Sequence, residues 1–197
     1  MALYLHVACM HCTNLPNALH YFSFQVLGSA VFTTSVHTKK SQTSLKIMLE
    51  DEAVLKIFLD PRPDSDALYH HYGVHLKNCV CLQLAEIAVR RQPRPTLHGY
   101  VNGGRKIILA YGELDVRERE EYADIEEKGK QLLFPDQGGS YGNLTRRPLD
   151  PVAAQYSALA TSYLMPVYVN LEKQLTEPGK KWVMEESRKR VEECLLP

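Results

Sequence analysis

The sequence predicts an α/β fold, a mixed sheet flanked by helices, in a single domain spanning residues 1–197. Three observations carry this expectation. Strand-like runs at residues 3–9, 18–27 and 30–36 precede any helical pattern. Residues 56–86 then hold an apolar run, a helix signal, a second apolar run and a second helix signal in quick succession. From residue 152 onward the spacing is helical, with no strand pattern left.

Each element has a local cause. The runs 18–27 and 30–36 are joined at Gly28-Ser29 in the manner of a hairpin, so three antiparallel strands are expected to open the sheet. Residues 41–52 carry helical spacing in Leu45, Met48 and Leu49, with Ser41 or Thr43 as N-cap. Lys56-Ile-Phe-Leu59 reads as a buried strand. Pro61 and Pro63 then restrict the backbone, so the next helix is expected from Asp64, with Gly73 supplying a left-handed C-terminal cap. A strand over 76–80 follows, and Leu82, Leu84, Ala85, Ala88 and Val89 line a helix that ends before Pro93. Residues 93–151 are expected to be an irregular insertion with one helix. Within it, residues 113–127 hold eight acids against Arg117 and Arg119 and read as a solvated helix face. The C-terminal helices cover 152–195, with a break near Pro166 and surface pairs Glu185–Lys189 and Glu186–Arg190 at i,i+4 spacing. This order of strands and helices is that of a ribonuclease-H-like fold.

Composition bounds the function. A chain of 197 residues is long enough for one core that buries roughly 70% of the surface of its unfolded form. Lys plus Arg balance Asp plus Glu at 23 each, so any nucleic-acid binding requires a local basic patch. Five cysteines, at 9, 12, 79, 81 and 194, do not form a secreted disulfide pattern, and no run is long enough to span a bilayer. The expectation is an intracellular protein, cytoplasmic or nuclear, with no membrane partner. Cys9-Met-His-Cys12 with nearby His6 invites zinc, but the second pair, Cys79 and Cys81, has an atypical spacing, and no metal site is assigned.

Residues 56–86, KIFLDPRPDSDALYHHYGVHLKNCVCLQLAE, resemble the second motif of the DEDD-superfamily 3′–5′ exonuclease domain, RNase D-like, in its fungal-type, tyrosine-bearing form. That motif has a pattern like K-V-F-F-D-V-R-N-D-S-D-A-L-Y-x-x-Y-G-I-x-L-x-G-V-x-D-x-Q-L-x-E. Asp64 falls on its catalytic aspartate, and Arg62, Asp66, Leu68, Tyr69, Gly73, Gln83 and Glu86 fall on other recurring positions. Pro63 and Cys81 depart from it, Cys81 replacing an aspartate. The resemblance continues in order through Tyr100-Val-Asn-Gly103, Lys128-Gly129, Leu133-Phe-Pro135, Gly138-Gly-Ser-Tyr141, Arg147-Pro-Leu149, Tyr156 and Trp182. It therefore covers nearly the whole chain.

The resemblance implies hydrolysis of a terminal phosphodiester by two divalent metals, Mg²⁺ or Mn²⁺, about 3.5–4 Å apart and held by several carboxylates. Those carboxylates are missing. The family's Asp-x-Glu on the first strand falls on His6 and Ala8, and residues 1–49 contain no Asp or Glu in any register. Tyr156 matches the third-motif tyrosine, but the aspartate one turn later is Ala160, and residues 151–171 contain no acid. Imidazole is a poor ligand for Mg²⁺ and alanine is none. Only Asp64 remains, and Asp64 and Asp66 also have a plain structural reading as first-turn acids favoured by roughly 0.3–1 kcal/mol at a helix N-terminus. Tyr156 reads equally as a packed aromatic. No bound cofactor is expected.

Three functions follow. The first is a catalytically inactive exonuclease-like protein that binds single-stranded RNA or DNA, or serves a nucleic-acid-processing assembly. Its candidate contacts are Arg62, Arg90, Arg91, Arg94, Arg105, Lys106, Arg146 and Arg147, with Tyr69 or Tyr141 for stacking, each weighed against scattered surface charge. The second is a protein-interaction module, homodimeric or with another partner. The third is an altered metal-dependent nuclease using Asp60, Asp64 or Asp66 with His6.

Overall fold

The computed structural model describes residues 4–9, 22–26, 45–93, 95, 100–193 and 195, with 4–9, 22–26 and Ala160 described by backbone. The strands are β1 (Tyr4–Cys9), β2 (Phe22–Val26), β3 (Leu55–Phe58) and β4 (Cys79–Cys81). The helices are α1 (Leu45–Glu50), α2 (Arg62–Tyr72), α3 (Leu82–Arg90), α4 (Gly104–Tyr111), α5 (Val116–Leu133), α6 (Pro151–Ser162), α7 (Leu164–Gln174) and α8 (Glu177–Glu193). The sheet runs β2-β1-β3-β4. β1 pairs antiparallel with β2, Cys9 opposite Phe22, and parallel with β3, His6 opposite Ile57. β3 pairs parallel with β4, Lys56 opposite Cys79. The mixed α/β class is as the sequence predicts. The run at 30–36 and the cap candidates Ser41 and Thr43 lie outside the described residues.

Element boundaries move where local geometry overrides pattern. α2 begins at Arg62, two residues earlier than expected, because a proline in the first turn lacks only an N–H that has no helical partner there. Asp60 Oδ1 accepts the Arg62 N–H at 3.2 Å and steadies the entry. At the other end Gly73 takes φ +60°, and Gly73 N and Val74 N donate to the carbonyls of Tyr69 and Leu68, closing the helix as predicted. β4 begins at Cys79, not at residue 76, because Asn78 has φ +49° and interrupts the extended backbone. The break between α6 and α7 falls at Tyr163, not at Pro166, which occupies the first turn of α7 where its missing N–H costs no helical bond.

The stretch expected to be irregular is largely helical. Asp115 and Glu118 form a reciprocal capping box, each side chain accepting from the other residue's N–H at 2.8 Å, and so start the long helix α5. α5 packs along α6 and α4 packs on α7. Ile107, Ile108, Leu114 and Tyr122 thereby join the main core with Ile57, Val80, Leu84, Ile87, Leu164 and Val167. The acidic run is exposed on α5 except Glu126, which is buried.

α8 closes the structure over β4 and α2. Ser187 Oγ accepts the Cys81 N–H at 3.0 Å, and Ser65 Oγ donates to the Val191 carbonyl at 3.1 Å. Glu185 and Lys189 pair at 3.7 Å, whereas Lys189, not Arg190, pairs with Glu186, at 2.7 Å. Arg190 is buried instead. It donates to Gln83 Oε1 at 3.1 Å, contacts Cys81 Sγ at 3.2 Å and lies 3.6 Å from Asp60. No described helix is long and apolar enough to cross a membrane.

Candidate nucleic-acid site

The candidate site lies where the parallel strands β1 and β3 run out, the end at which α/β sheets commonly bind ligands. β3 passes through Leu59 into Asp60-Pro61-Arg62-Pro63-Asp64, so Asp64 enters the first turn of α2 directly above the strand end. Its side chain is only 4% exposed. α2 packs on β1, and α6 packs on both β1 and β2. The elements that carry positions 6, 8, 64, 156 and 160 therefore meet around β1. The side chains of His6, Ala8 and Ala160 lie outside the description.

The aspartate loop is held by cations. Asp60 receives Arg62 Nη2 at 2.6 Å and Arg62 Nε at 3.0 Å, with Arg190 beyond. Burial alone would raise the Asp60 carboxyl, but the Arg62 hydrogen bonds and the Arg190 charge outweigh it and hold the group below its ordinary value. Cys81 donates to the Leu59 carbonyl at 3.1 Å, and full burial pushes its thiol up. Cys79 is buried likewise and is raised to about 12, with burial the main cause. Both cysteines are free thiols, neither near a described group of three or more metal-holding side chains. Cys12, His11 and Cys194 lie outside the described residues.

Tyr156 is a packed aromatic. A methyl group built on Gly129 of α5 would lie 2.1 Å from Tyr156 Cδ2, so only glycine admits the ring at that crossing. Phe134 meets it edge-on at 6.3 Å between centroids. Burial, with the nearby Glu126 charge, raises its hydroxyl.

The basic and aromatic candidates fall into three groups on different elements. On α2, Arg62 is paired with Asp60, and Tyr69 packs edge-on against His70 and His75. On α3 and α4, Arg90 pairs with buried Glu86 at 2.7 Å, Arg91 follows it at the helix end, Arg105 pairs with Glu126 at 2.6 Å, and Lys106 lies over Tyr100. After α5, Tyr141 packs on Phe134, Arg146 is exposed, and Arg147 donates to the Leu144 carbonyl at 3.0 Å. Arg94 is outside the described residues. Sequence reasoning missed Asn102, 7% exposed, whose side-chain nitrogen donates to Glu86 Oε1 at 2.8 Å and whose backbone carbonyl accepts from Gln83 Nε2 at 3.3 Å. Its place in Tyr-Val-Asn-Gly before a helix was the available signal.

This fold, a small mixed sheet enclosed by helices, is similar to the solved structures of RNase D and NrnC. Trypanosoma brucei RNase D in its GMP complex superposes with a TM-score of 0.73 at 18% identity over 99% of this chain. The same enzyme in complex with RNA U12 gives 0.71 at 16% identity over 99%. Brucella melitensis NrnC bound to pGG gives 0.61 at 18% identity over 98% of this chain and 85% of that one. The chain spans 58% and 64% of the two trypanosomal chains. At these identities the likeness is one of fold. No family model matches the chain, and no curated protein matches it.

Proposed function

We propose that this chain is a catalytically inactive 3′–5′ exonuclease-like protein, of the fungal, tyrosine-bearing type, that binds single-stranded nucleic acid or serves an assembly that processes it. The observation that carries the reading is chemical. β1 runs beside β3 and under α2, where the fold would need an Asp-x-Glu, and it supplies His6 and Ala8 from a stretch of 49 residues without an acid. α6 supplies Tyr156 and Ala160 from another stretch without one. The donor set does not fit a pair of Mg²⁺ or Mn²⁺ ions, which require several hard carboxylate oxygens.

Binding is supported by the neighbours' own ligands, RNA U12 and pGG, and by the cations on α3 and α4. A protein partner or homodimer without nucleic acid is the second reading, favoured by the net charge of zero. The buried free thiols fit an intracellular setting, cytoplasmic or nuclear. The test incubates purified protein with a 5′-labelled single-stranded RNA and its DNA counterpart, with and without Mn²⁺. Binding that weakens with salt and leaves the 3′ ends intact is the expected result. Chelator-sensitive shortening abolished by Asp64→Ala would establish a nuclease, and absence of binding at low salt would favour the protein-partner reading.

A further inference from the structure

The chain is neutral as a whole, yet residues 82–112 contain a single acid, Glu86, against Arg90, Arg91, Arg94, Arg105 and Lys106. Glu86 is only 2% exposed and lies beneath Arg90. A second carboxylate near this surface, Glu126, is 8% exposed and lies under Arg105 and Lys130. Among the described residues these two acids are buried while Arg90, Arg105 and Lys106 are exposed, so the local surface is positive where the whole is not.

At the centre of this surface stands Tyr100, 60% exposed, next to exposed Val101. The Arg90 guanidinium carbon is 4.9 Å from the ring centroid and the Lys106 ammonium 5.1 Å, with Lys106 Nζ also donating to the Tyr100 hydroxyl at 3.2 Å. Two cations hold the ring in place. Beside it an open depression of ≈ 770 Å³ is lined by Gly103, Gly104, Arg105, Lys106, Leu109 and Glu126. Arg105 and Lys106 occupy the first turn of α4, an unfavourable position for positive charge that an anion would relieve. Gly104 brings that turn against Leu59, since a methyl there would lie 2.5 Å from Leu59 Cδ2. Leu59 directly follows β3 and leads into the Asp64 loop, so the patch adjoins the candidate site.

We infer that Tyr100, with Lys106 and Arg105, forms a subsite for one nucleotide of a single strand, the base stacking at Tyr100 and the phosphate meeting the two α4 cations. The inference rests on the nucleic-acid reading above and gives it a location. It uses the base and the phosphate and not the sugar, so RNA and DNA should respond alike.

The test is fluorescence anisotropy with 5′-labelled oligouridylate and oligothymidylate, and with heparin as a polyanion that has no bases. Tyr100→Ala should weaken both oligonucleotides roughly ten-fold, within the range of one lost stacked base, while Tyr100→Phe retains binding. Heparin affinity should not change with Tyr100→Ala. Lys106→Gln should lower the slope of log affinity against log salt by about 0.7, one phosphate contact on a single strand. Wild-type binding that Tyr100→Ala and Lys106→Gln leave unchanged overturns the subsite while the broader reading stands. Failure of the wild-type protein to bind either oligonucleotide at low salt overturns both. Tyr100 is exposed, and unchanged melting of each variant will show that the fold is intact.

Discussion

Asp60 and Arg190 hold together the loop that presents Asp64, and their behaviour with pH follows from their contacts. The Asp60 carboxyl lies below its ordinary value of 3.8 because the hydrogen bonds from Arg62 and the charge of Arg190 outweigh the cost of burial. A group whose folded-state value is depressed contributes stability that is present above the unfolded value and is lost as the pH falls through the folded one. The urea midpoint should therefore decline below pH 3.8 in wild-type protein, and Asp60→Asn should reduce both the neutral-pH midpoint and the steepness of that decline. Equal acid limbs for the two proteins would show that Asp60 is not held by its cations. Arg190 was legible only as a surface residue at i,i+4 from Glu186. Helical spacing says which side chains are neighbours along one helix, and the partners of Arg190 lie on β4, α3 and the β3–α2 loop.

Elements are fixed by caps and crossings. α2 could be read from its prolines and from Gly73 because its capping signals are local. α5 also had a local signal, Asp115-x-x-Glu118, concealed in a run that was read for its charge. The α5–α6 crossing depends on Gly129, whose missing side chain leaves room for Tyr156. Gly129→Ala should gain up to about 1 kcal/mol of helix propensity and lose more by overpacking, for a net destabilisation of about 1–3 kcal/mol in urea denaturation. The clash includes Tyr156 Cβ at 2.7 Å, so the ring cannot swing clear by rotation alone. In a Tyr156→Ala background, which removes the ring contacts but keeps Cβ, the same glycine change should cost less, and in a Tyr156→Gly background it should be neutral or stabilising. A neutral Gly129→Ala in the wild-type background would mean that the helices separate freely.

At the scale of the whole molecule, the proposed loss of metal binding is a matter of side chains and not of architecture. The triple change His6→Asp, Ala8→Glu and Ala160→Asp should restore Mn²⁺ binding measurable by calorimetry, with Asp64 completing the set. Slow cleavage is the further expectation, limited by how well the strand end aligns beside Pro63 and Cys81. Heat of binding no greater than in wild-type protein would show that β1, α2 and α6 do not bring these positions within reach of one ion.

The sequence by itself determined the α/β class, the strand at β3, the cap at Gly73 and the lack of acids in residues 1–49 and 151–171, because each depends on residue identity or on neighbours within a turn or two. Tertiary structure alone decided the burial of Arg190, the packing of Tyr156 on Gly129, and the sheltering of Glu86 and Glu126 beneath outward-facing cations. It also decided where β4 begins, through the left-handed turn at Asn78. The physical reason is the range of the interactions. Hydrogen-bonded caps and backbone restrictions act over a few residues, whereas desolvation and side-chain packing depend on segments that meet only when the sheet and the C-terminal helices close around one core.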